Sequence, residues 1–179
     1  MTTITWSDAW ALDLPLMDDT HREFINLLAA VQAAPDAALA DAWDALLAHT
    51  REHFEREDAW MRDTRFSSSN CHSTQHHVVL QVMAEVQKRS RTQTHTEPHT
   101  PADLTLVREM AKELALWFAQ HAQSMDAALA LHLRRVGYDV DTGQIHAPQA
   151  LPSVLIEGCG GSDCSTAQTH PAADQAVPA

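Results

Sequence analysis

The chain has 179 residues, of which 45% are hydrophobic, and this size and composition predict one globular domain with a buried core. Its formal net charge is −12, an acidic excess that argues against binding to nucleic acid or to an anionic membrane surface. The first residues lack the basic start and apolar run of a signal peptide, no segment is long enough to span a membrane, and three cysteines are too few for a disulfide scaffold. We therefore expect a cytoplasmic location.

The N-terminal segment is apolar but lacks a convincing helical period. Trp6 and Trp10 are followed by leucines up to Leu16, and we expect this segment to lie over the domain as an extended arm. The first helix is then predicted from about Asp19 to Ala33, with apolar residues at steps of three and four. Pro35 stops it.

Three further amphipathic segments predict helices. They run from near Asp36 to the Ser67–Asn70 turn, from about His72 to Ser90, and from Pro101 to near Gly137, with a polar loop at 91–100 before the last. The sequence before Gly137 is rich in Ala, Leu, Gln and Glu, a composition that favours helix throughout, and it shows no strand-like alternation. Four long amphipathic helices predict an all-α, up-down-up-down four-helix bundle.

The composition changes abruptly near Gly137. All five glycines lie at or after this position, and no lysine or arginine follows Arg135. The change predicts a helical domain at 1–136 and a separate tail at 137–179. The tail is low in charge and rich in Pro, Gly, Ser and Ala, so we expect it to be flexible and poorly ordered, at least beyond about Pro152.

Seven potential metal ligands lie on the inward faces of the four predicted helices. They are His21 on the first helix, His53 and Glu57 on the second, His72 and His76 on the third, and His121 and Asp126 on the fourth. The second and third helices each carry a pair four residues apart, which places both side chains on one face. The pair on the fourth helix is five residues apart, a wider angle from which both can still reach a shared centre. Each ligand alone is weak evidence, and the joint occurrence favours a metal centre.

The ligand types indicate what such a centre could hold. Imidazole suits iron, zinc, copper and nickel, and a carboxylate can bridge two ions. If both carboxylates and one hydroxide or oxide bridged two octahedral ions, the remaining imidazoles would leave one coordination position open. A small molecule such as dioxygen can bind at an open position.

Four segments of the sequence resemble the haemerythrins, specifically the bacterial members of that family. The segments are His21-Arg-Glu-Phe24, His53-Phe54-Glu55-Arg56-Glu57-Asp58 with Met61, His72-xxx-His76, and Trp117-xxx-His121-xxxx-Asp126. The similarity covers roughly residues 6–133 and matches all seven metal-ligand positions of the family. It implies two iron ions joined by a bridging hydroxide or oxide. The imidazoles of the coordinatively full iron would be His72, His76 and His121, those of the open iron His21 and His53, and the bridging carboxylates Glu57 and Asp126.

The function that this resemblance implies is reversible dioxygen binding, for oxygen storage, delivery or sensing. By position, the residues that would line an apolar oxygen pocket are Phe24, Phe54, Met61, Trp117, Phe118 and Ala122. Ala122 is smaller than the aliphatic residue that the family often carries there, which predicts easier entry of water and faster oxidation of the iron pair. His49 replaces a common aromatic residue and could either reach a bound ligand or cover the core.

Two other functions stay open at this point. The same centre could belong to an enzyme that reduces peroxide or nitric oxide, or the protein could handle iron without binding oxygen. Cys71 is interpreted as a small residue at the start of a helix. Cys159 and Cys164 could close a small disulfide loop, hold a soft metal or remain free thiols, and the tail that carries them could recruit an unknown protein partner.

Overall fold

The computed structural model describes residues 5–66, 71–91 and 101–153, and it has the all-α four-helix architecture that the sequence predicts. The helices are α1 (Pro15–Ala33), α2 (Asp36–Asp63), α3 (Cys71–Arg91), and a last segment made of α4 (Pro101–His121), a π-helical turn (Ala122–Asp126) and α5 (Ala127–Val136). Helices α1 and α3 each pack against both α2 and α4. The four segments therefore surround one central core, which confirms the predicted bundle.

Helix α1 begins at Pro15, four residues before the predicted start at Asp19. The fixed φ angle of a proline suits the first turn of a helix, where its missing N–H is not needed. The helix entry is also stabilised by Asp18, whose carboxylate accepts a hydrogen bond of 2.8 Å from the backbone N–H of Leu12. The first four residues of α1 are thus helical because the residues around them fix the start of the helix.

The N-terminal arm lies against the bundle, but it contains a short 3₁₀ turn at Asp8–Trp10 in place of a fully extended chain. Trp6 and Trp10 are partly buried against the core. The Trp10 ring meets Phe118 edge-on, with a distance of 6.2 Å between ring centroids. The arm therefore covers the part of the bundle that contains Phe118.

A π-helical turn interrupts the fourth helical segment at Ala122–Asp126. In a π turn the backbone hydrogen bond spans five residues, so side chains at i and i+5 lie on the same face. His121 and Asp126 have this spacing, and His121 Nε2 lies 3.1 Å from Asp126 Oδ1. The turn is the physical reason that a five-residue spacing places both side chains in the core.

Helix α5 ends at Gly137, whose φ of +61° lies in the left-handed region that favours glycine. The N–H of Tyr138 donates to the carbonyl of Leu133 at 2.9 Å, which closes the helix end. Tyr138 pairs with Ile145 in an antiparallel bridge, and the segment from Gly137 to residue 153 folds back on the bundle. Residues 154–179, which include the rest of the predicted tail, lie outside the described residues.

The apolar core is divided into two clusters, one on each side of a polar layer. The larger cluster includes Phe24, Trp43, Met83 and Phe118. The smaller includes Leu14, Met17, Trp60, Met61, Phe66, Leu129, Ala130 and Leu133. On α1 and α2 the predicted metal ligands lie between members of the two clusters along the helix, and on α3 they precede the members of the larger cluster. The seven buried ligands thus form a polar layer next to both apolar clusters.

Three other predictions concern the edges of the domain. Among the described residues, no helix is long and apolar enough to cross a membrane. Cys71 is the first residue of α3, as expected, and it is disulfide-bonded in the structure. The loop was predicted at 91–100, but Arg91 is the last residue of α3. The rest of that loop, the predicted turn at 67–70, and Cys159 and Cys164 lie outside the described residues.

Candidate metal centre

The structure brings all seven predicted ligands together in the polar layer of the bundle. None of the seven is more than 3% exposed. Their ligand atoms form two overlapping groups, in each of which all atoms lie within 4.8 Å of one another. One group comprises Glu57, His72, His76, His121 and Asp126, and the other comprises His21, His53, Glu57 and Asp126. The two carboxylates belong to both groups.

Glu57 faces each group with a different oxygen atom. Its Oε1 lies 3.0 Å from His53 Nε2. Its Oε2 lies 3.3 Å from His76 Nε2 and 3.5 Å from His72 Nε2. This arrangement suits a carboxylate that bridges two ions, because each oxygen is directed toward a different set of imidazoles.

Asp126 has the same arrangement on the opposite side of the centre. Its Oδ2 lies 3.2 Å from His21 Nε2. Its Oδ1 lies 3.1 Å from both His72 Nε2 and His121 Nε2. Both carboxylates therefore face both groups of imidazoles.

Several polar atoms in this layer are buried and have no hydrogen-bond partner. They are Nδ1 and Nε2 of His21, Oε2 of Glu57, and both carboxylate oxygens of Asp126. The imidazole nitrogens lie close to these oxygens, but the contacts lack hydrogen-bond geometry. Buried polar groups without partners are costly and rare in native proteins. Metal coordination would satisfy them, and a set of imidazoles with two carboxylates suits a non-haem iron centre.

The charges in this layer shift the pKa values of the ligands in opposite directions. Burial raises the pKa of both Glu57 and Asp126, but the surrounding histidines outweigh burial and hold each pKa well below its usual value. Burial lowers the pKa of His72, but Asp126 and Glu57 outweigh burial and raise that pKa to about 9. The pKa of His21 is also raised, because Asp126 outweighs burial. His121 differs, because burial dominates and lowers its pKa.

The metal-free protein is expected to lose stability as the pH rises from 6.5 to about 9. The pKa of His72 is about 9 in the folded protein against an ordinary value of 6.5, so its contribution to stability is complete below pH 6.5 and lost as the pH approaches 9. His121 does not oppose this trend, because with a lowered pKa it is neutral in both the folded and unfolded states above pH 6.5. Urea unfolding of chelator-treated protein at pH 6.5 and pH 9 measures the effect.

The His72→Gln variant should show a smaller loss of unfolding free energy over the same pH interval. Iron affinity should instead increase as the pH rises from 6.5 to 9, because metal binding needs neutral imidazoles and releases protons. An unfolding free energy that stays constant or increases between pH 6.5 and 9 would contradict the charge assignment.

The six residues predicted to line an oxygen pocket do not lie in one group. Phe24 and Phe118 are stacked, with centroids 4.6 Å apart, and Phe118 meets the His21 ring edge-on at 5.2 Å. Ala122 is fully buried in the same cluster. Met61 is also fully buried, but it belongs to the other apolar cluster.

The remaining two lining residues lie against the group with three imidazoles. Phe54 stacks on His76, with centroids 3.9 Å apart, and Trp117 stacks on His121 at 4.3 Å. His49 lies beside the centre, where its Nε2 is 3.1 Å from the carbonyl oxygen of Thr20. This contact with the backbone supports the interpretation that His49 covers the core.

Two residues near the centre were not predicted from the sequence. Asp58 contacts His76, with Oδ1 3.0 Å from Nδ1, and Gln75 contacts His121, with Oε1 3.3 Å from Nδ1. Each is adjacent in sequence to a predicted ligand, but neither lies on the inward face of its helix. Helical periodicity therefore could not identify them. The available signals were the family-like segment that contains Asp58 and the position of Gln75 next to His76.

Comparison with known proteins agrees with this geometry. Residues 12–131 match the family model described as the hemerythrin HHE cation binding domain. A bacteriohemerythrin of Ralstonia nicotianae is 37% identical over 139 residues, which cover 78% of this chain and 95% of that protein. A bacteriohemerythrin of Pseudomonas paraeruginosa is 26% identical, with coverage of 71% and 79%, and one of Stenotrophomonas maltophilia is 23% identical, with coverage of 73% and 81%. No solved structure matches the chain.

The family match and the buried cluster support the same conclusion from independent observations. The cluster of histidines and carboxylates suits a non-haem iron centre, and the matched region contains all seven of its residues. Together they support a non-haem iron-binding protein, and the extent of the match shows that this chain belongs to the haemerythrin family.

Proposed function

We propose that this protein binds dioxygen reversibly at a centre of two iron ions, for oxygen storage, delivery or sensing in the cytoplasm. The observation that carries the proposal is the double-sided arrangement of the two buried carboxylates. Glu57 and Asp126 each direct one oxygen to a set of three imidazoles and the other oxygen to a set of two. The relatives named bacteriohemerythrin also support it.

The unequal sets of imidazoles would make the two ions different. His72, His76 and His121 would hold one ion, and His21 and His53 would hold the other, with Glu57, Asp126 and a hydroxide or oxide as bridges. The ion with fewer imidazoles would keep the open position. When bound, the iron pair would supply two electrons and this open position for reversible reaction with dioxygen.

The protein's own contribution would be to limit the access of water and protons to the centre. Phe24 and Phe118 form an apolar wall beside His21, and both are at most 2% exposed. An apolar, dry surrounding controls solvent access to a metal site. Imidazoles also donate less negative charge than carboxylates would, which disfavours high-valent iron and favours the release of intact oxygen.

Enlarging Ala122 is expected to slow the oxidation of the oxygen-binding form. Ala122 is fully buried in the apolar cluster that contains Phe24 and Phe118, and it follows His121 directly, so a larger side chain there would fill space in the apolar surroundings of the centre. The oxidation rate should fall from wild type to Ala122→Val and fall further in Ala122→Ile. The rate is measured from the visible spectrum of oxygenated protein over time, and equal rates in all three proteins would contradict the expectation.

The proposal is tested by anaerobic titration with ferrous iron. Two ions per chain are expected, held tightly enough to survive gel filtration. Binding of one ion, or of none, would overturn the assignment of the two sets of ligands. Replacement of the exposed Glu55 by alanine serves as a control, because it removes a carboxylate from the same helix without changing the cluster.

A further inference from the structure

We propose that Asp58 is a positioning residue that fixes the tautomer and orientation of His76, so that this imidazole presents Nε2 to the metal centre. The inference rests on the proposed function, and it assigns a role to a residue outside the seven ligands. It follows from the contacts of the two ring nitrogens of His76.

The nitrogens of His76 face different partners. Nδ1 lies 3.0 Å from Asp58 Oδ1. Nε2, on the opposite edge of the ring, lies 3.3 Å from Glu57 Oε2 and 3.2 Å from His121 Nε2. An ionised carboxylate can only accept a hydrogen bond, so the Nδ1 beside Asp58 carries the proton. In the neutral ring the lone pair is then on Nε2, directed toward the metal centre, as in the carboxylate–histidine–metal arrangements of other metalloproteins.

Two other contacts restrict the remaining motions of the ring. Phe54 stacks on His76 with an interplanar angle of 7°, which fixes the plane of the imidazole. Asp58 fixes its rotation within that plane. Asp58 is itself held by Ser73, whose hydroxyl donates a hydrogen bond of 3.0 Å to the same Oδ1. Residues of α2 and α3 thus hold the ring before any metal binds.

The direction of the hydrogen bond matters more here than the charge of the carboxylate. The Asp58 side chain is 39% exposed, so solvent screens its charge. Gln75, a neutral residue, occupies the equivalent place beside His121 Nδ1 at 3.3 Å. An uncharged acceptor at position 58 should therefore preserve most of the effect, whereas a side chain without an acceptor should remove it.

The experiment compares wild-type protein with Asp58→Leu and Asp58→Asn. The two substituents have a similar shape, but only asparagine retains an acceptor, and leucine also excludes the water that could replace the carboxylate. Glu55→Leu is the matched control, because Glu55 is exposed on the same helix. Each protein is loaded anaerobically with ferrous iron, and the rate of iron release to a chelator is measured. We expect release from Asp58→Leu to be roughly 10–100 times faster than from wild type, the range typical for loss of such a partner.

Asp58→Asn should release iron at close to the wild-type rate, because asparagine retains a hydrogen-bond acceptor for His76 Nδ1. A purely structural role of Asp58 would not predict this recovery. The proposal is overturned if Asp58→Leu behaves like Glu55→Leu, or if Asp58→Asn is as fast as Asp58→Leu. If Asp58→Leu does not fold, the iron-release rate of Asp58→Ala is compared with that of Glu55→Ala, and equal rates overturn the proposal. Failure of wild-type protein to bind iron would instead overturn the proposed function, and this inference with it, so the two failures are distinguishable.

Discussion

Replacement of Glu57 by alanine is expected to prevent the protein from holding two iron ions. Glu57 is fully buried, and its two oxygens face the two sets of imidazoles separately. Its removal would take one ligand from each ion and one bridge from between them. The metal-free cluster would also lose one of the two negative charges that offset its protonated histidines. Iron content after anaerobic loading, measured by atomic emission, should fall to one ion per chain or fewer.

Two further variants separate the loss of a ligand from a general loss of structure. Glu57→Gln keeps the volume and one oxygen acceptor, so it should fold but still bind iron poorly, because a neutral amide is a weak bridging ligand. Glu55→Ala should bind iron as wild type does, because Glu55 is exposed. Wild-type iron content in Glu57→Ala would show that this carboxylate is not a ligand.

Replacement of Phe118 by alanine should both destabilise the protein and expose the centre to water. Phe118 is 2% exposed, stacks on Phe24 and meets His21 edge-on. Removal of a buried aromatic ring costs about 3–5 kcal/mol of unfolding free energy, because it loses apolar burial and leaves a cavity. That cavity would lie beside His21, on the side proposed to keep the open position. Urea unfolding of metal-free protein and the oxidation rate of oxygenated protein measure the two effects.

Leu114→Ala is the matched control for this prediction. Leu114 is 5% exposed in the same apolar cluster, one helical turn before Phe118. It should also lower the unfolding free energy, but its cavity would lie farther along the helix from His121. If Leu114→Ala and Phe118→Ala increase the oxidation rate equally, general destabilisation explains the rate, and the apolar wall has no specific role.

The sequence predicted the bundle and its buried polar layer because both depend on a repeated pattern. Apolar residues recur at helical spacing on four segments, and pairs such as His53 and Glu57 fall on one face of a helix. The five-residue spacing of His121 and Asp126 also indicated an inward pair. It did not predict the π-helical turn that places both in the core, because such turns are rare and helical periodicity assumes an uninterrupted α-helix.

Other features of the structure depend on tertiary contacts that one sequence does not contain. Asp58 and Gln75 lie beside the inward faces of their helices, and only the packing of α2, α3 and α4 shows which imidazole each one contacts. The predicted pocket residues were treated as one group, but Met61 belongs to the apolar cluster beyond the polar layer. Met61 is separated from the other predicted pocket residues because its side chain reaches a different end of the bundle.

Reversible oxygen binding is tested by the visible absorption of anaerobically iron-loaded protein, recorded before oxygen, after oxygen, and after flushing with inert gas. The proposed function predicts a band that forms with oxygen and disappears on flushing, because the cluster around the two buried carboxylates would hold an iron pair with one open position. A band that forms and persists on flushing would indicate irreversible oxidation and would contradict reversible oxygen binding. An iron-loaded protein that forms no band with oxygen would contradict it equally.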